Sequence, residues 1–355
     1  MPGGDPEAYQ HVKPMLEAVA AKVNGIPCVA HLGKGAAGHY VKMVHNGIEY
    51  GDMQLICEAY FMMREALGLG NDELYDVFAD WYQGELNSYL IEITRDIMGF
   101  RDEDGTPMVE KILDTAGQKG TGKWTVQSSL DLGIPVTLIA EAVFGRALSA
   151  RKAERVEAAR HLAGPSPAFD GDRAAFVHQI SQALYAAKIV SYAQGFMLMH
   201  EAAKEYGWNL NYGGIALMWR GGCIIRSRFL GNIRDAYRND PALDNLLLDS
   251  FFRRAVDENQ AGWRRVVAWA VQAGLPVPAL EGEMILYDGD QESSPVWDKL
   301  RPWMHEAIKR QKEPGKADDL PEQRGGGEPA AMFDPDLDDD VPFASCDPAL
   351  EHRIG

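Results

Sequence analysis

Helical periodicity runs almost without interruption from Gly38 to about Leu286, and this pattern constrains the fold more than any other feature of the sequence. Apolar residues recur there every three or four positions, as on the buried faces of amphipathic helices, and strand patterns are nearly absent. The sequence therefore predicts an all-α body of roughly 250 residues, which is too large for a four-helix bundle. The predicted helices cover residues 38–67, a segment beginning at Asn71, and residues 85–98, 135–163, 172–206, 226–237, 243–273 and 278–286, and residues 99–125 are expected to be rich in loops.

The two ends of the chain differ from this helical body, which we assign to residues 37–288. Residues 6–24 have helical spacing, and the apolar run from Pro27 to Leu32 is typical of a short strand. One helix and one strand cannot enclose a core, so residues 1–36 must belong to something larger or pack on the helical body. Residues 289–355 contain eight of the 19 prolines and 16 acidic against 8 basic residues, which predicts a divergent, largely disordered acidic tail.

Composition excludes several classes of protein. The net charge is −17 and no long basic stripe offsets it, which argues against nucleic-acid binding. No secretory signal and no run of 18 apolar residues is visible, so we expect a cytoplasmic protein without a membrane partner. Four cysteines stand far apart without a CxxC pair, which disfavours a metal site or a disulfide framework and fits a reducing compartment. They are Cys28, Cys57, Cys223 and Cys346.

The helix predicted for residues 38–67 carries an unusual polar row. Lys42, His45, Asn46 and Glu49 are spaced i, i+3, i+4 and i+7, so their side chains share one face. The same face becomes apolar within two turns, which is unexpected for a helix face that simply meets solvent. A polar row at helical spacing is more often a solvated face than a catalytic site, and both interpretations stay open at this point.

A glycine-rich segment, residues 116–125, satisfies the GxxxxGK pattern of a nucleotide-binding loop. Trp124 stands where the magnesium-binding Ser or Thr of such a loop should be, and no buried strand precedes it, so nucleotide hydrolysis is disfavoured. Flexible backbone N–H groups together with Lys119, Thr121 and Lys123 could still hold a phosphate dianion. An ordinary surface turn is the alternative interpretation.

Arg146 lies among small apolar residues of the helix predicted for residues 135–163. A buried guanidinium without an anionic partner is costly, so this arginine is expected to have one. The partner could be a substrate phosphate or an internal carboxylate such as Glu141, and the sequence does not choose between them.

Four segments together resemble one family, the decarboxylating 6-phosphogluconate dehydrogenases. They are residues 41–54, 117–125, 189–197 and 211–226, and the resemblance runs almost unbroken from Met1 to about Asp288. It implies the large all-helical C-terminal domain of that family, preceded by the last helix and strand of a dinucleotide-binding domain in residues 1–36. It also implies oxidative decarboxylation of 6-phosphogluconate to ribulose 5-phosphate in the pentose phosphate pathway, with NADP as cofactor and a homodimer as the assembly.

The resemblance assigns roles to the polar row. Lys42 would be the general base that takes the proton of the substrate 3-hydroxyl, and later the acid that polarises the keto oxygen during loss of CO2. Glu49 would protonate C1 of the enediol. A lysine serves as a base near neutral pH only where burial or a neighbouring cation favours its neutral form. His45 and Asn46 would hold substrate hydroxyls and the carboxylate.

The resemblance also implies that the substrate phosphate is bound by four residues from different segments. They are Tyr50, Lys119, Thr121 and Arg146. This assignment favours the phosphate interpretation of the glycine-rich segment over the surface turn.

The chain departs from the family pattern at both ends. No GxGxxG fingerprint of a Rossmann domain is found, so the cofactor-binding residues cannot be assigned, and the family's C-terminal pattern stops after Asp288. Two interpretations remain. The chain is the substrate-binding and dimer-forming part of a dehydrogenase with a truncated or mis-set start, or it is a non-catalytic paralogue that keeps the dimer core and a sugar-phosphate site. We expect the chain by itself to be catalytically incomplete, because nothing in it replaces the hydride acceptor.

Overall fold

The computed structural model describes residues 1–162, 164–165 and 168–281, and helices dominate that part of the chain. The helices are α1 Pro6–Val19, α2 Ala37–Phe61, α3 Asn71–Gln83, α4 Tyr89–Gly99, α5 Thr121–Asp131, α6 Thr137–Ser149, α7 Lys152–His161, α8 Arg173–Glu205, α9 Tyr212–Met218, α10 Leu230–Asn239 and α11 Ser250–Ala273. Short 3₁₀ turns span Met108–Lys111 and Leu246–Leu248. The predicted all-α fold class is thus confirmed. The predicted acidic tail, residues 289–355, lies outside the described residues.

Helices α2, α8 and α11 form the centre of the described structure. The middle of α8, from Ala183 to Phe196, is buried on every side, as expected for a helix that is apolar all round. It packs against both α2 and α11. Asp172, predicted to begin this helix, is its N-cap and accepts a hydrogen bond from the Ala175 N–H at 3.1 Å. The predicted helix at 38–67 is also confirmed, since α2 continues through a π-helical turn, Met62–Ala66.

Glycines let α2 approach its neighbours closely. A Cβ added at Gly47 would lie 2.7 Å from Thr125 Cγ2 on α5, and one added at Gly51 would lie 2.6 Å from Ser191 Oγ on α8. A Cβ at Gly195 of α8 would lie 2.5 Å from Ile48 Cδ1. Because these distances are shorter than any van der Waals contact, the backbone of α2 is held at a separation that only glycine permits at these points.

The N-terminal segment differs from its prediction. The expected strand from Pro27 to Leu32 is absent among the described residues, and two-residue strands form instead, with Lys22–Val23 (β1) antiparallel to Ile26–Pro27 (β2). Asn24 and Gly25 both have positive φ, at 52° and 74°, which is the conformation of a tight type I′ hairpin turn. The Asn-Gly pair thus folds the chain back on itself before a longer strand can extend.

Two other predictions change. Helix α5 begins at Thr121, inside residues 99–125 that were expected to be rich in loops, and the helix predicted for residues 135–163 is divided at Ala150 and Arg151 into α6 and α7. At this break the Arg155 guanidinium donates to the Ser149 carbonyl oxygen at 3.2 Å and also approaches Asp114. The carbonyl left without a helical partner at the end of α6 is satisfied by this side chain. No described helix is both long and apolar enough to cross a lipid bilayer.

Candidate active site

Helix α2 places the polar row on one connected face. Lys42 Nζ lies 3.2 Å from His45 Nδ1, and Glu49 Oε2 lies 3.8 Å from the same nitrogen. Lys42 is exposed, His45 is buried, and the Glu49 side chain keeps 17% of its surface accessible. The helical spacing i, i+3 and i+7 therefore delivers an amine, an imidazole and a carboxylate within mutual reach, as the sequence predicted.

The hydrogen bonds of His45 indicate which of its ring nitrogens carries the proton. Asn46 donates its amide to Thr121 Oγ1 at 2.9 Å, which leaves Asn46 Oδ1 to accept from His45 Nδ1–H at 3.0 Å. His45 Nε2 can then accept the thiol proton of Cys223, whose Sγ is 2.6 Å away. Burial, reinforced by the charge of Lys42, lowers the pKa of His45 to about 3, so the imidazole is neutral.

Cys223 suits the role of thiol donor. Burial raises the pKa of its thiol to about 11, so it stays protonated at neutral pH. It lies 178 residues away from His45 in the chain, beyond the reach of any spacing argument. The sequence analysis did not single it out as a site residue, and only its place within residues 211–226 connected it with the site.

Glu49 lies in an environment that favours its protonated form. Burial raises the pKa of its carboxyl group, and the charge of Asp52 one turn further along α2 acts in the same direction. The cations Lys42 and Arg146 oppose this shift. A carboxyl group with a raised pKa is suited to donate a proton near neutral pH.

A second group of predicted residues lies beside the row. The Arg146 guanidinium stacks over the Tyr50 ring at 4.4 Å from its centroid and donates to the Gly117 carbonyl oxygen at 3.3 Å. Among the described residues Arg146 contacts the Gly117 carbonyl oxygen, Met53 Sδ and the Tyr50 ring and forms no ion pair with a carboxylate, so the Glu141 alternative is not supported. Arg146 is instead available to bind an anion from solution.

The N-terminus of α5 completes this second group. Gly120 adopts a φ of 99° and caps the helix, and Thr121 is its first residue. The N–H groups of a first helical turn have no helical partners and attract anions. Lys119 is exposed and has no hydrogen bond or ion pair with any other described residue. The structure thus joins Thr121 to Asn46 and Arg146 to Tyr50, whereas Lys119 stands apart.

A cavity of about 480 Å³ opens beside the N-terminal half of the row. It is lined by Met1, Gly38, His39, Lys42, His45, Gly222, Cys223 and Ile224. No group of three or more His, Cys, Asp or Glu side chains in the described part of the chain is arranged to hold a metal ion. Fold and site together define a class: an all-α domain in which a lysine, a histidine and a glutamate share one helix face beside the N-terminus of a second helix.

Comparison with known proteins identifies the family. The family model described as 6-phosphogluconate dehydrogenase, C-terminal domain, matches residues 38–295. The decarboxylating 6-phosphogluconate dehydrogenase of Cunninghamella elegans is 60% identical over 291 residues, which is 81% of this chain and 60% of that protein. The human enzyme of the same name is 58% identical over 291 residues with the same shares. The chain therefore belongs to the 6-phosphogluconate dehydrogenase family and spans about 60% of the length of these relatives.

A solved structure agrees with this assignment. The 6-phosphogluconate dehydrogenase of Plasmodium falciparum, described in its apo form, with NADP+ and with 6-phosphogluconate, has a TM-score of 0.82 and 40% sequence identity. The match covers 85% of this chain and 66% of the other. The family resemblance found in the sequence is confirmed.

Proposed function

We propose that this chain supplies the substrate-binding and acid–base part of a decarboxylating 6-phosphogluconate dehydrogenase. The reaction oxidises 6-phosphogluconate and releases CO2 and ribulose 5-phosphate, with NADP as the hydride acceptor. The observation that carries the proposal is the connected row of Lys42, His45 and Glu49. Lys42 Nζ lies 3.2 Å from His45 Nδ1, and Glu49 Oε2 lies 3.8 Å from the same nitrogen. Family membership and the names of the relatives support the same reaction.

Lys42 is proposed as the general base for the 3-hydroxyl of the substrate. The proton on His45 Nδ1 faces both Asn46 Oδ1 and Lys42 Nζ. An N–H at this point can donate to the lone pair of a neutral amine, which is the form that a base requires. Once protonated, the same group can polarise the keto oxygen while CO2 leaves. His45 and Asn46 are proposed to hold substrate hydroxyls and the carboxylate.

Glu49 is proposed as the acid that protonates C1 of the enediol left by decarboxylation. Burial raises its pKa, which is the direction that suits a proton donor. Lys42 and Glu49 are two turns apart on one face of α2, so the base and the acid can address neighbouring carbons of one substrate. The two roles differ because one group is an exposed amine that lines the cavity and the other is a partly buried carboxyl.

The substrate phosphate is proposed to bind at the start of α5. Thr121 offers a hydroxyl and a backbone N–H, and Arg146 offers a guanidinium already oriented by the Tyr50 ring. Lys119 is proposed to turn towards the phosphate when substrate binds, because its exposed side chain has no competing partner among the described residues.

NADP would supply the acceptor for the hydride that leaves C3. The described residues do not fit a dinucleotide of this kind, since their two strands form an antiparallel hairpin and no parallel sheet edge is present for its phosphates. The chemistry assigned to these residues is therefore proton transfer and anion binding, which they can perform without the cofactor.

The proton chemistry can be tested apart from hydride transfer. By microscopic reversibility, the same row should remove a C1 proton from ribulose 5-phosphate and return a deuteron in D2O, because Glu49 accepts the proton while Lys42 polarises the keto oxygen. Loss of the C1 signal is followed by proton NMR. We expect exchange well above the solution background, and at least about a 100-fold loss in Lys42→Met and in Glu49→Gln.

The matched control is Lys204→Met, an exposed lysine of α8 that is far from the row in sequence and paired only with surface acids. It should exchange at the wild-type rate. Calorimetric binding of 6-phosphogluconate without any exchange would instead favour a non-catalytic sugar-phosphate-binding module. Exchange by Lys42→Met at the wild-type rate would contradict the assigned base.

A homodimer is proposed as the assembly. The packed helices α5 and α6 expose large apolar side chains, with Trp124 at 51%, Leu130 at 76%, Phe144 at 62% and Leu148 at 57% of their surface accessible. Apolar groups at this density commonly mark an interface between subunits. Sedimentation equilibrium at micromolar concentration should give a dimer mass that Phe144→Asp lowers towards the monomer. A wild-type monomer would contradict the proposal.

A further inference from the structure

An ion pair is buried directly beneath the polar row. Asp52 lies one turn beyond Glu49 on α2 and is 1% exposed, and Lys188 of α8 is 4% exposed. Lys188 Nζ donates to Asp52 Oδ2. The hydroxyl oxygen of Tyr192, one turn further along α8, lies 3.3 Å from the same carboxylate oxygen. We call Asp52, Lys188 and Tyr192 the buried brace.

The brace reaches a third segment of the chain, residues 223–227. The Tyr192 hydroxyl donates to the Ile225 carbonyl oxygen at 2.7 Å and lies 3.3 Å from Ser227 Oγ. Two residues before Ile225, the thiol of Cys223 contacts His45 Nε2 at 2.6 Å. A closed ring of contacts therefore runs from α2 through α8 to residues 223–227 and returns to α2 at the imidazole.

This ring of contacts fixes the hydrogen bond that His45 makes through Nε2. The Nδ1 side is set by Asn46, which belongs to α2 itself. The Nε2 side depends on Cys223, which α2 cannot position through its own backbone. If residues 223–227 moved away by about 2 Å, the thiol would leave hydrogen-bond distance, and the imidazole could rotate or change tautomer.

A role in stability alone does not account for this arrangement. A buried ion pair is on average no more stabilising than an apolar pair of the same volume, because desolvation offsets the attraction. What it does provide is a fixed geometry, since each charged partner strongly penalises any displacement of the other. The main effect of the Asp52–Lys188 pair is therefore to fix the position of α2 relative to α8.

We propose that Asp52, Lys188 and Tyr192 are positioning residues of the candidate active site, which hold Cys223 against His45 and so keep the Nδ1–H directed at Lys42. The inference rests on the proposed function for its catalytic consequence. The placement of Cys223 by the brace does not depend on the proposed function, since it can be measured with no substrate present. The brace lies too deep to touch the substrate itself.

The first measurement is the reactivity of the Cys223 thiol in the full chain. Tyr192→Phe removes the hydroxyl and keeps the ring, so residues 223–227 lose their anchor at Ile225 while the core stays filled. Alkylation by iodoacetamide, followed by mass spectrometry of the peptide that contains Cys223, should become several-fold faster. The matched control is Tyr237→Phe, a buried tyrosine whose hydroxyl has no hydrogen-bond partner among the described residues. It should leave the rate unchanged.

The second measurement is deuterium exchange at C1 of ribulose 5-phosphate. Tyr192→Phe should lower kcat about tenfold with a smaller change in KM, because orientation of the row is lost while the phosphate site at α5 is intact. Unchanged alkylation in Tyr192→Phe overturns the inference, whether or not the wild-type chain catalyses exchange. Faster alkylation with wild-type kcat overturns the positioning role. Absence of exchange in the wild type contradicts the proposed function, and the alkylation result still decides whether the brace positions Cys223.

A second variant covers the case in which Tyr192→Phe does not fold. The double variant Asp52→Asn, Lys188→Met removes both charges and avoids leaving one of them buried without its partner. We expect it to accelerate alkylation of Cys223 less than Tyr192→Phe, since the bond to Ile225 remains. A rate equal to that of the wild type would show that the ion pair has no part in the brace and would overturn that assignment.

Discussion

Gly47 offers a direct test of how packing sets the geometry of the site. It lies on α2 next to Asn46, and a methyl group added there would meet Thr125 of α5, with Cγ2 at 2.7 Å and Oγ1 at 2.9 Å. Thr125 is fully buried and donates to the Met43 carbonyl oxygen at 2.9 Å, so it has little room to yield. Gly47→Ala should therefore push α5 away from α2 and lengthen the 2.9 Å contact between Asn46 and Thr121.

The expected magnitude is the difference between two opposing effects. Replacing a glycine inside a helix by alanine normally stabilises it by about 1 kcal/mol. Overpacking of a well-filled core costs about 1–3 kcal/mol. The net effect of Gly47→Ala should therefore be a destabilisation of up to about 2 kcal/mol. Gly231 of α10 is the control, because nothing lies within 4 Å of a Cβ added there, so Gly231→Ala should be neutral or stabilising.

The two variants are compared by urea denaturation and by calorimetric binding of 6-phosphogluconate. Gly47→Ala should lower the unfolding midpoint and weaken binding, and Gly231→Ala should do neither. Thr125→Ser removes the methyl group that the new Cβ would meet at 2.7 Å and keeps the hydroxyl at 2.9 Å, so it should restore both properties in part when combined with Gly47→Ala. The reasoning is refuted if Gly47→Ala behaves like Gly231→Ala, or if Thr125→Ser gives no rescue.

Two further predictions concern ionisable groups. Burial raises the pKa of the Glu58 carboxyl group from 4.5 to about 7, so the folded protein holds this proton more tightly than the unfolded chain does. Protonation therefore adds to the free energy of unfolding. This contribution is fully present below pH 4.5 and is lost as pH rises to about 7. Urea denaturation at pH 4.5 and at pH 8 gives the free energies of unfolding of wild type and Glu58→Gln. The wild-type value minus the variant value should fall by roughly 3 kcal/mol between the two pH values. A difference that stays constant would contradict the prediction. Arg146→Lys loses the planar group stacked on Tyr50 and should weaken 6-phosphogluconate binding about tenfold by calorimetry. Arg254→Lys, at an exposed ion pair with Glu258, is its control, and equal affinities in both variants would disprove the role of Arg146.

The carboxylate of Glu58 shows a kind of contact that sequence reasoning does not reach. Its two oxygens accept backbone N–H groups of Ala279 and Leu280 at 2.9 and 3.0 Å, more than 220 residues along the chain. The sequence shows only a glutamate on an apolar helix. The same holds for Asp52, whose partner Lys188 lies in the buried middle of α8, 136 residues further along the chain.

The failed predictions have particular physical causes. Helix α5 contains two threonines, two serines and a tryptophan, which are poor helix formers, and the glycines before it resemble a turn. Its close packing on α2 through Thr125 and Gly47 outweighs this weak preference. The strand expected at Pro27 to Leu32 is limited to its start because its hairpin partner β1 begins at Lys22, directly after α1 ends, and so pairs no further than Pro27.

The sequence by itself determined the all-α class, the two long helices α2 and α8, the row of Lys42, His45 and Glu49, and the family. These features depend on local periodicity or on the order of short motifs, which are written directly in the chain. The tertiary structure decided what surrounds the row: the α5 N-terminus beside Asn46, the thiol at His45 Nε2 and the buried brace beneath them. Such contacts join residues 75 to 178 positions apart, and their geometry is set by how closely the helices pack.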